Sequence, residues 1–306
     1  MNDPTDLVLS GSYAVAFGIF VVSVVVRSVF AEKPKPVVVS EAAPADGTSP
    51  YETPGSEIAP PPVPVGRVPV WFYRPVDLMG AGFVFLVFTG LFLASSGNPR
   101  NETVTLDPEV LLVNIGFQFV IAGVVTVLAL RRVTATAWLG LRWPSWYWVF
   151  LIAPGGVLFM WLVFGGLQMS GYVEWMESLG VETVQETVKL LQKSEDPVVL
   201  GLMAAAAVVV APLCEEIVFR GYFYPVMKRF AGAWPAAICS AIVFAAAHGN
   251  LTALLPLFIF GGVLVFLYEK TGSIWTPMAV HFCFNSATVV IQMAARHYGM
   301  PIEPTP

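Results

Sequence analysis

Eight stretches of this chain are apolar enough to form helices that cross a membrane. A helical span needs about 20 mainly apolar residues. Hydrophobic residues make up 56% of the 306 residues, and charged residues only 12%. The low charge excludes a nucleic-acid binder, which needs a basic face. The sequence therefore predicts an all-α, polytopic membrane bundle of about eight transmembrane helices, at residues 7–26, 78–97, 110–130, 147–166, 197–229, 234–248, 251–268 and 274–295.

Composition divides the chain into five parts. Residues 1–31 predict an N-terminal transmembrane helix, and residues 32–76, which contain eleven prolines, predict a disordered linker. The linker is also a candidate docking site for an unknown proline-binding partner. Residues 77–196 hold accessory transmembrane helices, residues 197–296 form the core, and residues 297–306 form a C-terminal tail.

Apolar residues at helical spacing among acids mark residues 171–196. This pattern is typical of an amphipathic helix that lies on the membrane surface. A short helix that caps the end of the bundle would show the same pattern, and both interpretations stay open.

Basic residues predict how the chain is oriented. If the spans alternate, 12 of the 16 Lys and Arg residues fall on one side of the membrane. Cytoplasmic loops carry an excess of Lys and Arg. We therefore predict an integral, multi-pass protein of the plasma membrane, or of the inner membrane of a bacterium, with both termini outside. The opening of its site is predicted to be cytoplasmic.

Three charged residues interrupt the apolar run at 197–229: Glu215, Glu216 and Arg220. An ionisable residue within a span costs at least about 2.5–3.5 kcal/mol on insertion scales and points to a functional site. Glu216 and Arg220 are four residues apart, so they share a helix face and can pair. Glu215 is turned about 100° away and is left for another partner.

Later spans contribute His248, His281 and Asn285. The last two are four residues apart and project from one helix face. Counting residues from the intervening turns, at 1.5 Å per residue, brings these side chains to similar depths as Glu215. An acid, two imidazoles and an amide are therefore predicted to converge inside the bundle.

Two kinds of hydrolytic site suit this group. Glu215 could take a proton from water while His and Asn donors stabilise an oxyanion. Alternatively, Glu215, His248 and His281 could hold zinc, as a His₂Glu site does. The soluble zinc motif H-E-x-x-H and the nucleophile motif G-x-S-x-G are both absent.

Three short motifs follow one another on successive spans: Glu215-Glu216-x-x-x-Arg220, Phe244-x-x-x-His248 and His281-x-x-x-Asn285. In this order they resemble the CAAX protease and bacteriocin-processing (CPBP, or Abi) family, which is related to the Ras-converting CAAX prenyl endopeptidase. The resemblance covers residues 197–295, about a third of the chain, and extends to Gly221 and to the turn at 271–275.

The resemblance implies an intramembrane endopeptidase that acts on a membrane protein or peptide, a prenylated one included. It assigns water activation to Glu215 with help from His248, the oxyanion hole to His281 and Asn285, and an orienting role to Glu216 and Arg220. Both a metalloendopeptidase and a metal-free glutamate protease have been argued for the family. We favour the metal-free mechanism, with no cofactor, and keep zinc as the alternative.

Two other classes of function remain open. A CPBP-like protein without catalytic activity could act as a scaffold that binds peptides or lipidated proteins. A transporter could use Glu215 and the histidines as a proton relay. The broken helices in inverted repeats that a transporter would favour are not seen in the sequence.

Overall fold

The computed structural model describes residues 4–30, 67–96 and 107–299, and within those ranges the chain forms helices and turns but no strand. The prediction of an all-α membrane bundle is confirmed. In chain order the helices are α1 (Pro4–Phe30), α2 (Asp77–Ser96), α3 (Pro108–Leu130), α4 (Ala135–Leu139), α5 (Val149–Met169), α6 (Tyr172–Ser178), α7 (Glu186–Lys193), α8 (Pro197–Ala231), α9 (Ala233–Ala246), α10 (Leu251–Thr271) and α11 (Trp275–His297).

Seven of these helices are long and apolar enough to cross a membrane: α1, α2, α3, α5, α8, α10 and α11. The predicted span at 234–248 is wrong as a spanning helix. Its counterpart α9 has 14 residues and is about 21 Å long, which is less than the roughly 30 Å of a bilayer core. The helix ends because the backbone turns at Gly249, whose φ is +67°. Residues 247–250 then lead to the start of α10.

The bundle has two ends, because consecutive long helices run in opposite directions. We call one the linker end. There the loop before α2 meets α10 through the Arg67 N–H and the Glu269 carbonyl, and the Ile274 N–H donates to the Leu139 carbonyl. The other, the terminal end, holds the start of α1, the end of α11 and the turn at 247–250. At this end the Tyr172 hydroxyl donates to the Thr252 carbonyl.

Part of the predicted linker is ordered. Lys228 Nζ donates to the Val68 carbonyl, and the Tyr73 hydroxyl donates to the Gly221 carbonyl at 2.9 Å. The prediction of disorder is therefore wrong for residues 67–76, whose apolar side chains pack on the bundle although prolines lie between them. The buried ones are Val68, Val70, Phe72 and Tyr73. Residues 32–66, with the predicted proline-docking site, lie outside the described residues.

The region 171–196 forms two short helices instead of one, and both pack against the terminal end. Met176 of α6 is buried with Leu251, and Leu191 of α7 is buried with Val199. The side chain of Arg296 donates to the Leu191 carbonyl and ties α7 to α11. These contacts are those of helices that cap the bundle.

Candidate active site

Helix α8, which carries the charged residues, contains two π-helical segments, Ala206–Val210 and Glu216–Phe223. A π turn adds a residue to a helical turn and is frequent at functional sites. Glu216 and Arg220 lie in the second of these turns and are fully buried. The predicted pair is confirmed, since Arg220 Nη1 donates to Glu216 Oε1 at 2.9 Å.

Arg220 is held by two further contacts. Its Nη2 donates to the Gly261 carbonyl at 3.2 Å, and its guanidinium carbon lies 4.4 Å from the centre of the Phe244 ring. A cation over an aromatic face is attracted by the ring quadrupole. The arginine therefore links α8 to both α9 and α10.

His281 of α11 stands between the two adjacent glutamates. Its Nδ1 lies 2.9 Å from Glu216 Oε1, and its Nε2 lies 3.9 Å from Glu215 Oε2. Glu216 is paired with Arg220, so it is the acceptor and His281 Nδ1 carries a hydrogen. The Nε2 atom is thereby aimed at Glu215. The sequence reasoning placed His281 near Glu215 but missed its hydrogen bond to Glu216.

Glu215 differs from its neighbour in having few partners. Its side chain is 23% exposed, yet Oε2 is buried and has no hydrogen-bond partner among the described residues. The 3.9 Å separation from His281 is too long for a direct hydrogen bond. A buried carboxylate oxygen without a partner is costly, so its presence here favours a functional role.

His248 is connected to the other site residues through Phe244, which contacts both histidines. Its Nδ1 lies 2.8 Å from the Phe244 carbonyl, which can only accept, so Nδ1 carries a hydrogen and neutral His248 has its lone pair on Nε2. The Phe244 ring lies 5.0 Å from the His248 ring and 5.9 Å from the His281 ring, between ring centres. One aromatic side chain therefore sets the spacing between the two imidazoles.

Asn285 is engaged elsewhere. Its Nδ2 donates at 2.8 Å to the Ala207 carbonyl, in the first π turn and about two helical turns before Glu215. One of the two amide hydrogens is thus used to satisfy a carbonyl of the distorted helix. Four of the other five side chains, Glu215, Glu216, Arg220 and His281, form one connected cluster.

The same region matches known proteins. Residues 197–287 match the family described as "Rce1-like: Type II CAAX prenyl endopeptidase Rce1-like". This segment is Rce1-like. The recognition made from the sequence is confirmed for it, and it contains all six candidate site residues.

A curated relative matches over a similar length. Over 92 residues the chain is 30% identical to "Putative membrane peptidase YdiL" of Bacillus subtilis (strain 168). The aligned stretch is 30% of this chain and 38% of that protein, so the chain spans less than half of the relative's length. No solved structure matches the chain significantly.

The zinc alternative requires that Glu215, His248 and His281 converge on one ion. In the part of the chain that the structure describes, no three His, Cys, Asp or Glu side chains are grouped so that they could hold a metal. His281 Nδ1 and His248 Nδ1 both donate to other acceptors, which leaves each Nε2 as the nitrogen that could face an ion. Because Glu215, His248 and His281 are not grouped around one point, they do not fit a zinc centre in this arrangement.

His248 lies at the edge of the group. His248 and Gly249 are exposed, whereas His281 is buried. The side of the membrane on which the termini lie, and the side to which the site opens, stay predictions.

Proposed function

We propose that this protein is an intramembrane endopeptidase in which Glu215 activates a water molecule for attack on a peptide bond. The observation that carries the proposal is the position of Glu215. Its unpartnered carboxylate oxygen lies 3.9 Å from His281 Nε2 inside an apolar bundle. The likeness of residues 197–287 to CAAX endopeptidases supports the same reaction class.

The separation of these two atoms suits a shared water. An oxygen placed about 2.8 Å from both Glu215 Oε2 and His281 Nε2 makes two hydrogen bonds at an angle near 90°. In the reaction, Glu215 takes a proton from this water as the oxygen bonds to the carbonyl carbon of the substrate. The carbonyl π electrons move to its oxygen, and the charge there is stabilised by nearby donors.

Collapse of the intermediate completes the reaction. The bond from carbon to nitrogen breaks, its electrons stay with the nitrogen, and the proton held by Glu215 passes to the leaving amine. His248, with Nδ1 fixed by the Phe244 carbonyl, presents Nε2 for assistance with proton transfer. We assign the oxyanion to the second amide hydrogen of Asn285 and to the Nε2 hydrogen of His281, which is present when both ring nitrogens are protonated.

Glu216 and Arg220 position this machinery. One oxygen of Glu216 accepts both from Arg220 Nη1 and from His281 Nδ1, so the carboxylate fixes the rotation of the imidazole. The charges of the cluster also balance. Two carboxylates face one guanidinium, and a His281 that carries hydrogens on both ring nitrogens before the reaction makes the resting group neutral.

The substrate class follows from the site's location. Because the cluster lies among membrane-spanning helices, the substrate is a membrane-associated protein or peptide that can enter the bundle. Prenylated substrates are included, since the matching family is described as a prenyl endopeptidase.

The test compares protein N-termini in the native host before and after a single substitution. Glu215→Gln keeps the size of the side chain but removes the base, and cleavage is expected to fall by about 10²–10⁴-fold. Glu177→Gln, at an exposed position of α6, is the matched control and should leave cleavage unchanged. Both variants are checked for normal abundance in the membrane.

The outcome separates an enzyme from a scaffold. Membrane-protein N-termini that disappear with Glu215→Gln and persist with Glu177→Gln support the peptidase. If the Glu215→Gln variant keeps every N-terminus and every phenotype of the unchanged protein, the peptidase proposal fails and a peptide-binding scaffold is supported.

A further inference from the structure

One backbone carbonyl of α8 is bound by side chains that come from outside the helix. The Tyr73 hydroxyl donates to the Gly221 carbonyl at 2.9 Å, and Trp138 Nε1 donates to the same carbonyl at 2.7 Å. Trp138 Nε1 also lies 3.1 Å from the Tyr73 hydroxyl oxygen, so the three groups form a closed triangle. All three residues are buried. The Gly221 carbonyl is therefore a fixed point of the helix.

Pro225 explains why this carbonyl accepts from side chains. In a regular α-helix the Gly221 carbonyl would accept from the N–H of residue 225, four residues further on. Residue 225 is a proline, which has no N–H and whose ring crowds that carbonyl. The helix departs from α geometry over Glu216–Phe223, and the Tyr224 N–H donates to the Phe219 carbonyl, five residues back. Tyr73 and Trp138 therefore supply the hydrogen bonds that the proline cannot.

The same π-helical segment carries the charged pair of the site. Glu216 begins the segment, and Arg220 directly precedes Gly221. One oxygen of Glu216 accepts from Arg220 Nη1 and from His281 Nδ1, both at 2.9 Å. A change from π to α geometry would remove one residue from a turn and rotate Glu216 by about 100° relative to the residues after Gly221. Such a rotation would break the contact with His281.

The two donors lie outside the Rce1-like segment at 197–287. Tyr73 belongs to the ordered end of the linker, and Trp138 belongs to α4. Both are packed against the π-helical segment itself. The Tyr73 ring lies edge-on to the Tyr222 ring, with 5.9 Å between ring centres, and a Cβ at Gly221 would lie 2.9 Å from Leu139 Cδ2. The accessory part of the chain thus contacts the segment that carries the site.

We propose that Tyr73 and Trp138 are positioning residues for the peptidase: together they hold the Gly221 carbonyl and so keep Glu216 at the rotation that bonds it to His281. Neither side chain touches the reacting atoms. Their effect on cleavage rests on the proposed function. Their effect on the hydrogen bond between Glu216 and His281 does not, because that bond is present without catalysis.

This hydrogen bond can be observed by NMR, because the chain has only three histidines. The full chain is labelled with ¹⁵N-histidine and purified in detergent micelles, and exchange of the ring N–H protons with water is measured. The signal of His281 is identified by its absence from the His281→Gln variant. The His248 signal is the internal reference, since its Nδ1 is bound to the Phe244 carbonyl.

Two double variants are compared. Tyr73→Phe with Trp138→Phe removes both donors to Gly221 and keeps an aromatic ring at each position. Tyr172→Phe with Trp275→Phe is the matched control. It also removes one hydroxyl and one indole hydrogen bond to carbonyls, those of Thr252 and Leu141, but neither carbonyl belongs to α8.

Loss of the two donors should make the His281 Nδ1 proton exchange about tenfold faster, because its acceptor is no longer held in place. The control should change this rate by less than about twofold. Tyr73→Phe alone keeps the Trp138 bond and should cause a smaller change in the same direction, and it carries the test if the double variant does not fold. Unchanged exchange at His281, or an equal change in the control, would overturn the proposal.

Cleavage gives a second measurement, made on the N-termini that depend on Glu215. Loss of both donors should slow cleavage by about tenfold or more at normal abundance of the protein, and for an identified substrate the loss should lie in kcat and not in KM. Normal cleavage with faster exchange at His281 would overturn the positioning role. Faster exchange in a protein without any Glu215-dependent N-termini would reject the peptidase and leave the placement of Glu216 by Tyr73 and Trp138 standing.

Discussion

Replacing Arg220 with methionine tests whether the buried cluster is one closed unit. The substitution removes the ion-pair partner of Glu216 and leaves that carboxylate in a fully buried position with the hydrogen bond from His281 alone. Methionine has similar length and fills most of the same space, so packing changes little. The dominant effect should be electrostatic.

The magnitude follows from three contacts that are lost together. They are the ion pair with Glu216, the hydrogen bond to the Gly261 carbonyl, and the contact with the Phe244 ring. Removing one partner of a buried ion pair lowers the free energy of unfolding by about 3–5 kcal/mol, because the remaining charge stays uncompensated. Methionine restores neither the hydrogen bond nor the cation–π contact.

A double variant separates charge from packing. In Glu216→Gln with Arg220→Met no unpaired charge remains in the pair, so the double variant should be more stable than the sum of its single variants implies, by about 2 kcal/mol. Unfolding is followed in mixed micelles by titration with a denaturing detergent. Arg142→Met, at an exposed loop position, is the control and should change stability by less than about 0.5 kcal/mol.

Two results would refute the reasoning. One is an Arg220→Met variant that loses less than about 1 kcal/mol, since a buried charge without its partner costs more than that. The other is strict additivity of the two substitutions, because contacting residues in one network are coupled.

Three further outcomes are expected. Gly140→Ala should lower the free energy of unfolding by several kcal/mol, because φ is +62° and a Cβ would lie 1.7 Å from the Gly272 carbonyl oxygen. The control Gly180→Ala, with φ +73° and open space around it, should lower the free energy of unfolding by only about 1 kcal/mol. Equal losses in the two variants would contradict this packing. Tyr73→Phe should lower the free energy of unfolding by about 1–2 kcal/mol, since the Tyr73 hydroxyl donates to the Gly221 carbonyl. The control Tyr298→Phe, at an exposed position, should leave the free energy of unfolding unchanged. If Tyr73→Phe also leaves it unchanged, the ordered end of the linker does not stabilise the bundle. Cleavage should persist after treatment with a strong chelator, and loss that is reversed by added zinc would contradict the metal-free mechanism.

Helix arithmetic explains why part of the site could be predicted from the sequence. The pairing of Glu216 with Arg220 follows from their spacing along one helix, and it survives the π turn because both residues lie on the same face. The approach of Glu215 to His281 follows from the positions of the turns, since a helix rises by a fixed distance of about 1.5 Å per residue. The number of residues between a turn and a side chain therefore predicts how deep that side chain lies in the membrane.

Rotation of the helices could not be predicted in the same way. Each π turn adds a residue and so rotates everything that follows about the helix axis. Which glutamate bonds to His281 therefore depends on a distortion that composition does not reveal. The same distortion explains Asn285, whose amide satisfies the Ala207 carbonyl within the first π turn.

The order of residues 67–76, at the end of the linker, was not predicted for a different reason. Proline-rich composition indicates a chain that cannot form its own core. Residues 67–76 need no core of their own, because their apolar side chains enter the core of the bundle. Composition describes what a segment can do alone, whereas burial also depends on the surface that it meets.

The prediction about α9 failed because an apolar run does not show where a helix ends. Residues 234–248 are almost entirely apolar, yet α9 has only 14 residues and ends at Ala246, and Gly249 follows with φ of +67°. His248 therefore lies in a turn, where it is exposed, and not on the face of a spanning helix. The end of a helix depends on backbone conformation at a few residues, which hydrophobic periodicity does not report.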